Sequence, residues 1–409
     1  MMLINKYIYN IFGAITISII LRILLLNEYG DTELVNEWGT LFNNLKYNNI
    51  LALKSFEGTL IPTVYMPPLY VYFIYLVDIL ILGNEQYLVK TILFIQILLS
   101  GVSILIFYKI NLLLFSKKIS LFSSYIFSFF PIYIYSSIQI SSISIQIFLN
   151  LLFIFFILKI MKKTNNYKII IKLGVVSGLC ILLRGEFILI FFFSLIFLKY
   201  IKLINFKNLC IIFLISLITT SPYLVRNYIN FEKITITKSF GYNLWKGNNI
   251  DSSVEGSESL IAFETGEIKD KITELKKNNL YDFNYDKIFL DNAIGTIKDD
   301  PKLFIERYLK KFFSLTFFNL KSNYPGYYHP VNIIPTILLS IFFILSISFG
   351  YQKKSVYIYL ILNLFLTIAI FSIFFILPRY KLIILPIQLI LINYFIEKYS
   401  GLISKKMGV

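Results

Sequence analysis

The stretch SPYLVRNYINFEKITITKSFGYNLWKGNN, Ser221 to Asn249, leaves an apolar run and finishes as a polar, turn-rich segment. Arg226, a permanent cation, stands beside Asn227 where greasy chain gives way to water. Whether that boundary is the edge of a bilayer decides the fold. Composition answers: of 409 residues 57% are hydrophobic and 15% charged, with mean hydropathy +0.72, whereas a soluble domain carries roughly 25% charged residues. A formal charge of +16 would suggest nucleic acid as partner of a soluble protein. In a membrane protein it has a topological source, because cytoplasmic loops collect Lys and Arg. The partner read here is therefore the lipid bilayer and not nucleic acid. Cys180 and Cys210 lie inside apolar runs, where a thiol acts as a small hydrophobe, and give no disulfide framework. The first apolar run lacks a small-x-small cleavage site, so it is read as an uncleaved helix.

A span takes about 20 apolar residues. Candidates lie near 6–26, 89–108, 119–137, 141–160, 168–184, 187–201, 208–225, 331–350, 356–377 and 381–397. The expectation is an all-α polytopic membrane protein of about ten transmembrane helices, a single domain over 1–409. Lysine clusters at 117–118, 159–172, 199–207, 353–354 and 398–406 fall at alternating connections, which puts them and both termini on the cytoplasmic side. Two substantial outer loops remain, 27–88 and 226–330. Within the first, Leu34, Trp38, Leu41, Phe42 and Leu45 make one apolar stripe, suited to a helix on the membrane surface. Segment 67–82 opens with Pro67-Pro68 and contains Asp78, so it is read as interfacial or re-entrant. Within the second, helical patterns run over 267–277, 284–298 and 301–316, and DSSVEGSES at 251–259 is a loop.

Unusual polar residues then share the outer face. Asp31, Glu33 and Glu37 follow the first span, Arg184 and Glu186 form a tight connection, Arg226 follows the seventh span, His329 precedes the eighth, and Arg379 with Lys381 joins the last two. Each has a structural alternative. Asp31 suits a helix N-cap, Arg22 suits snorkelling to the interface, Asp78 suits contact with water, and Arg379 and Lys381 suit headgroup anchoring. His329 suits a structural role.

The Ser221–Asn249 stretch resembles the end-of-span motif of the GT-C glycosyltransferases, roughly P-W-x-x-R-N-Y followed by G-x-N-x-x-x-G-N-N. Four further segments resemble that superfamily in the same order: GDTELVNEWGTLFNN (30–44), YMPPLYVYFIYL (65–76), LLRGEFILI (182–190) and LPRYKLIILP (377–386). The branch most resembled is that of the protein O-mannosyltransferases and lipid A aminoarabinose transferases. Tyr223 stands where Trp is usual, Gly185 where Pro is usual, Glu33 lies two residues after Asp31, and SSIQISSISIQ lacks the acidic residue of many relatives.

The resemblance implies transfer of a sugar from a polyprenyl-phosphate donor to a glycan, glycolipid or protein acceptor hydroxyl on the outer face; the short cytoplasmic loops and compositional bias suggest a bacterial inner membrane. Such chemistry needs a carboxylate base toward the acceptor, for which Asp31 is the candidate and Glu33 or Glu37 the fallback. It needs fixed cations on the departing phosphate, here Arg226, Arg379, Arg184 and Lys381. Glu37, Tyr70, Glu186, Asn227, Tyr242, Asn248, Asn249 and His329 would wall the substrate pocket. No cofactor is required by the pattern; the first-loop acids have the chemistry to hold a divalent metal, without a strong ligand cluster. Two other classes stay open: a lipid-linked glycan polymerase or ligase with a polyprenyl-diphosphate donor, and a non-enzymatic lipid-glycan transporter.

Overall fold

The computed structural model describes residues 11–163, 166–249, 252, 254–255 and 267–407. The start of the first expected span and most of the DSSVEGSES loop lie outside them. The chain is an all-α polytopic membrane protein. Its helices are α1 (Ile11–Tyr29), α2 (Asn36–Asn48), α3 (Leu69–Leu80), α4 (Glu85–Leu112), α5 (Lys117–Ser128), α6 (Pro131–Ser137), α7 (Ile143–Met161), α8 (Tyr167–Leu183), α9 (Phe187–Tyr200) and α10 (Phe206–Phe231). Then come α11 (Phe240–Asn248), α12 (Glu267–Thr273), α13 (Tyr281–Asp299), α14 (Pro301–Thr316), α15 (Pro330–Phe349), α16 (Ser355–Ile373) and α17 (Lys381–Met407). A hairpin of β1 (Ala52–Phe56) and β2 (Thr59–Pro62) interrupts the first loop. Among the described residues seven helices are long and apolar enough to cross a membrane, eight if the bent pair α5 and α6 is one span. Each expected apolar run is largely helical where described, but α8 and α9 are short, at 17 and 14 residues.

Three local departures from the sequence expectation position the functional end. The run 119–137 is broken, with a 57° bend between α5 and α6. Pro131 has no N–H to continue the ladder and drives Phe130 out of the helical region, to φ −66 and ψ 118. Arg22 fills that break instead of snorkelling. It is fully buried, its Nε donates to Ser137 Oγ at 3.0 Å and its Nη1 to Ser128 O at 3.1 Å, and it lies 5.0 Å from the Tyr133 ring centre.

The second departure is at the quoted stretch. Helix α10 does not stop at 225 but continues through Arg226 to Phe231, closing on Glu232 at φ 56. At 26 residues it is about 39 Å long and outruns the hydrocarbon core of about 30 Å. Arg226 is therefore on a rigid turn, and its guanidinium reaches sideways to the hairpin: Nη1 donates to Thr63 O at 2.9 Å and Nη2 to Leu51 O at 3.2 Å. The hairpin itself turns on Glu57 and Gly58, at φ 52 and 80, the two left-handed positions that a tight two-residue loop demands.

The third departure is α11, where a polar loop was expected. Phe240, Leu244 and Trp245 share one side of it, and Leu244 and Trp245 bury against Phe289 and Ala293 of α13. Gly247 is pressed onto the backbone after α16; an added Cβ would sit 2.5 Å from Phe375 N. Lys311 of α14 ties the same turn down, donating to Gly247 O at 3.1 Å and Asn248 Oδ1 at 3.0 Å. The α2 stripe is likewise turned inward. Leu41 and Phe42 are buried, and Trp38 meets Tyr70 edge-on at 4.9 Å. Asp78, read as facing water, is buried and paired with Lys46 at 3.0 Å.

Removing the Arg226 guanidinium leaves two strand-end carbonyls without their charged donor, at a cost of about 1–3 kcal/mol. Arg226→Ala is expected to speed proteolytic cleavage within 52–62 while leaving the spans intact; an unchanged cleavage rate would show that other contacts hold the hairpin. Burial pushes the Lys311 ammonium down to about 7, and Arg307 adds to the push. Its folded-state pKa then lies below the ordinary 10.5, so the unfolded chain binds more protons between those values and stability rises with pH across that window. The unfolding midpoint should climb from about pH 6.5 to 9 by more in the wild type than in Lys311→Met; parallel profiles would contradict a buried charge there.

Candidate active site

The first loop, the α5–α6 break, the α8–α9 connection, α11–α14 and the 374–381 segment all gather at one end of the bundle. At its centre Asp31 is extended chain just beyond α1, half-buried, and caps no helix. It is fixed by the segment 138–140: its N–H donates to Ile138 O at 3.3 Å and its Oδ2 accepts from Ile140 N at 2.6 Å. That segment is held in turn from both sides. Gln139 Nε2 donates to Tyr29 O at 2.7 Å, and Gln96 Nε2 donates to Gln139 O at 2.8 Å. Tyr70, wholly buried, donates its hydroxyl to Gln96 Oε1 at 2.8 Å. Tyr70 thus supports the Asp31 segment from behind. The second oxygen of Asp31 makes no hydrogen bond among the described residues, and it is the atom available to take a proton.

Arg184 closes on the same helix start. Its backbone leaves α8 in extended geometry, at φ −150 and ψ 109, because the chain must reverse into α9 within two residues. Its Nε donates to Gln146 Oε1 at 3.2 Å and its Nη1 pairs with Glu186 Oε1 at 3.2 Å. Gln146 sits in the first turn of α7, six residues after Ile140, so α7 links the carboxylate of Asp31 to the Arg184 cation. The guanidinium lies 4.7 Å from the Tyr380 ring centre. It lines a cavity of about 480 Å³ with Glu186, Thr237, Asn243, Phe374 and Tyr380.

Pro378–Tyr380 is a 3₁₀ turn running straight into α17. Pro378 and Arg379 of this turn line one cavity and Tyr380 another. Tyr380 faces the Arg184 cavity. Arg379, exposed, and Lys381, buried, line a second cavity of about 200 Å³ with Glu255, Tyr135, Tyr324 and Asn332. Glu255 is fixed by a parallel bridge to Ile376 and by the Ser322 hydroxyl, which donates to it. Burial pushes its carboxyl up, against the opposing hydrogen bonds of Ser322 and Asn319.

The remaining candidates divide. Glu33 and Glu37 are exposed. Glu37 faces an aromatic group rather than Asp31: burial pushes the Tyr242 hydroxyl up to about 12, with the charge of Glu37 adding to it. Tyr242 packs edge-on against Phe289 at 5.2 Å. Asn227 is buried and its Nδ2 donates to Thr235 O at 2.6 Å. Asn248 donates to Ile373 O at 2.8 Å, and Asn249 donates to Trp245 O at 3.1 Å. His329 is exposed at the start of α15, where its Nδ1 accepts from Val331 N at 3.4 Å. Among the described residues no three His, Cys, Asp or Glu side chains converge as a metal site needs. Asp31, Glu33 and Glu37 do not fit a divalent ion as a set.

Sequence reasoning passed over Glu255, Gln146 and Tyr380. Gln146 carried a signal, a lone amide in an apolar run, and Tyr380 stood between two named cations. Glu255 carried none, being one acid in a polar loop.

No protein-family model matches the chain, and no curated protein does. Solved structures of similar shape exist. An archaeal oligosaccharyltransferase, AglB from Archaeoglobus fulgidus in complex with an inhibitory peptide and a dolichol-phosphate, superposes with a TM-score of 0.55 at 13% identity, over 97% of this chain and 51% of that one. The Archaeoglobus fulgidus oligosaccharyltransferase in the apo form gives 0.53 at 13%, over 97% and 52%. Its complex with Zn and sulfate gives 0.53 at 12%, over 96% and 49%. The chain spans about half the length of these structures. What it shares with them, over nearly its whole length, is the fold.

Proposed function

We propose that this chain is a membrane glycosyltransferase that moves a hexosyl or pentosyl group from a polyprenyl-phosphate carrier to an acceptor hydroxyl, with inversion. The observation that carries this is the pairing, through the start of α7, of a carboxylate with one uncommitted oxygen and a cavity-lining arginine. The site lies at the loop-bearing end, read as the outer face of a bacterial inner membrane from the lysine pattern. That a protein of the same fold was solved with a dolichol-phosphate supports a lipid-linked donor.

The chemistry follows from the parts. As the anomeric carbon becomes oxocarbenium-like, the acceptor hydroxyl gives its proton to Asp31 and attacks from that side. The phosphate leaves on the opposite side with its lipid and gains negative charge. Arg184, with Arg379 at the rim, meets that charge, where preorganised cations act on it as it develops. Arg226 has a different employment from the one the sequence suggested. Its donors are committed to Leu51 O, Thr63 O and Asn227 Oδ1, so it acts as a positioning residue that holds the first loop over the site. No step is routed through a metal ion. A diphosphate-dependent polymerase or ligase would lean on His329, whose Nδ1 accepts from Val331 N at the start of its own helix.

The test uses the full chain in lipid nanodiscs with a panel of radiolabelled polyprenyl-monophosphate sugars and follows release of polyprenyl phosphate. Asp31→Asn is expected to lower kcat by about 10²–10⁴-fold with little change in KM. Arg184→Ala should lower kcat and kcat/KM together, as loss of a group acting on developing charge does. Wild-type turnover in Asp31→Asn would sink the base assignment, and release that survived both substitutions would move the site elsewhere.

A further inference from the structure

The smaller cavity, of about 200 Å³, has contents the transfer reaction does not by itself explain. Lys381 is only 5% exposed, and its Nζ has no hydrogen-bond partner among the described residues. A buried ammonium without acceptors is costly, and such groups in folded proteins are nearly always satisfied. Glu255 shares the cavity and attracts it. Among the aliphatic residues of the rest of the wall stand Tyr135, Tyr324 and the amide of Asn332.

We infer that this cavity is the subsite for one sugar ring, the glycosyl group in transit, with Glu255 and Lys381 as its specificity-determining pair. The inference rests on the glycosyltransferase function proposed above. A carboxylate accepts from a ring hydroxyl and an ammonium donates to one, so together they read a neutral polyol at two points. Tyrosine faces suit the C–H side of a pyranose. A bare phosphate fits less well, because the Glu255 carboxylate would face it. Arg379, exposed at the rim, is the cation left for the phosphate.

Two further features agree. Glu255 is preset by its bridge to Ile376 and by Ser322, as a group that selects a ligand must be before the ligand arrives. The opposite wall includes Ile132 and Tyr135 of α6, whose far end leads directly to Ile138 and Ile140, the residues that hold Asp31. A ring in this cavity therefore lies against the helix that runs into the segment holding Asp31, with Arg379 at its rim.

The experiment has two arms on the full chain in nanodiscs. In the first, saturation-transfer NMR with a set of methyl pyranosides reads binding without turnover. The wild type is expected to transfer saturation to at least one pyranoside. Affinity should fall about tenfold or more in Glu255→Gln and vanish in Thr336→Leu, which fills the cavity without altering a charge. In the second, donor turnover should show a raised KM in Glu255→Gln and an altered order of preference among donor sugars. No transfer from the wild type to any pyranoside, or transfer unchanged in both variants, overturns the subsite. Turnover lost in Asp31→Asn but with unaltered KM in Glu255→Gln overturns the subsite and leaves the reaction standing. Sugar binding that the variants abolish, in a protein that turns over no donor, keeps the subsite and removes the reaction.

Discussion

Backbone that leaves a helix at the depth of a membrane cannot rely on water, so every freed N–H and C=O must find a partner inside the protein. The functional end of this chain is organised by that constraint. At the α5–α6 break that Pro131 opens, Arg22 and Ser18 supply the donors that Ser128 O needs. The hairpin stays against α10 because Arg226 reaches two of its carbonyls. The end of α16 is held by Asn248 at Ile373 O, and the end of α14 by Gln388 at Thr316 O. Side chains that read as unusual in an apolar sequence are, in most cases, the capping groups of interrupted helices.

The same constraint sets the chemistry. A segment such as 138–140 must be pinned, and the groups that pin it include the Asp31 carboxylate. Pinning costs one oxygen and leaves the other oriented by rigid neighbours, which is how a base is preorganised without a dedicated scaffold. The cations separate by the same test. Arg22, Arg226 and Lys311 hold carbonyls, Arg184 divides its donors between Gln146 and Glu186 while stacking on Tyr380, and Lys381 holds nothing described. Only the last two face cavities with an unmet electrostatic demand.

Much of the fold was legible because hydropathy is a one-dimensional property. Runs 141–160, 331–350 and 356–377 could be read directly, since twenty apolar residues have one solution in a bilayer. The break at Pro131 was also local, yet it was missed because its flanks are as apolar as a continuous span. Helix α11 was missed for the opposite reason. Gly241, Gly247 and two asparagines argue for a loop, and the segment becomes helical only where α13 buries Leu244 and Trp245 and where the backbone after α16 demands a glycine.

For the site, residue types alone placed Asp31, Arg184, Arg379 and Lys381 at one end of the bundle, because topology carries every second connection to the same side. The sequence by itself determined that this is an all-α membrane chain and which connections collect its unusual charges. Tertiary structure decided which of those charges are spent. Whether an arginine is a ligand-binding group or a cap depends on the carbonyls that come within hydrogen-bond reach of it, here Leu51 and Thr63, 175 and 163 residues from Arg226. Such distances are set by helix packing, to which local sequence is blind.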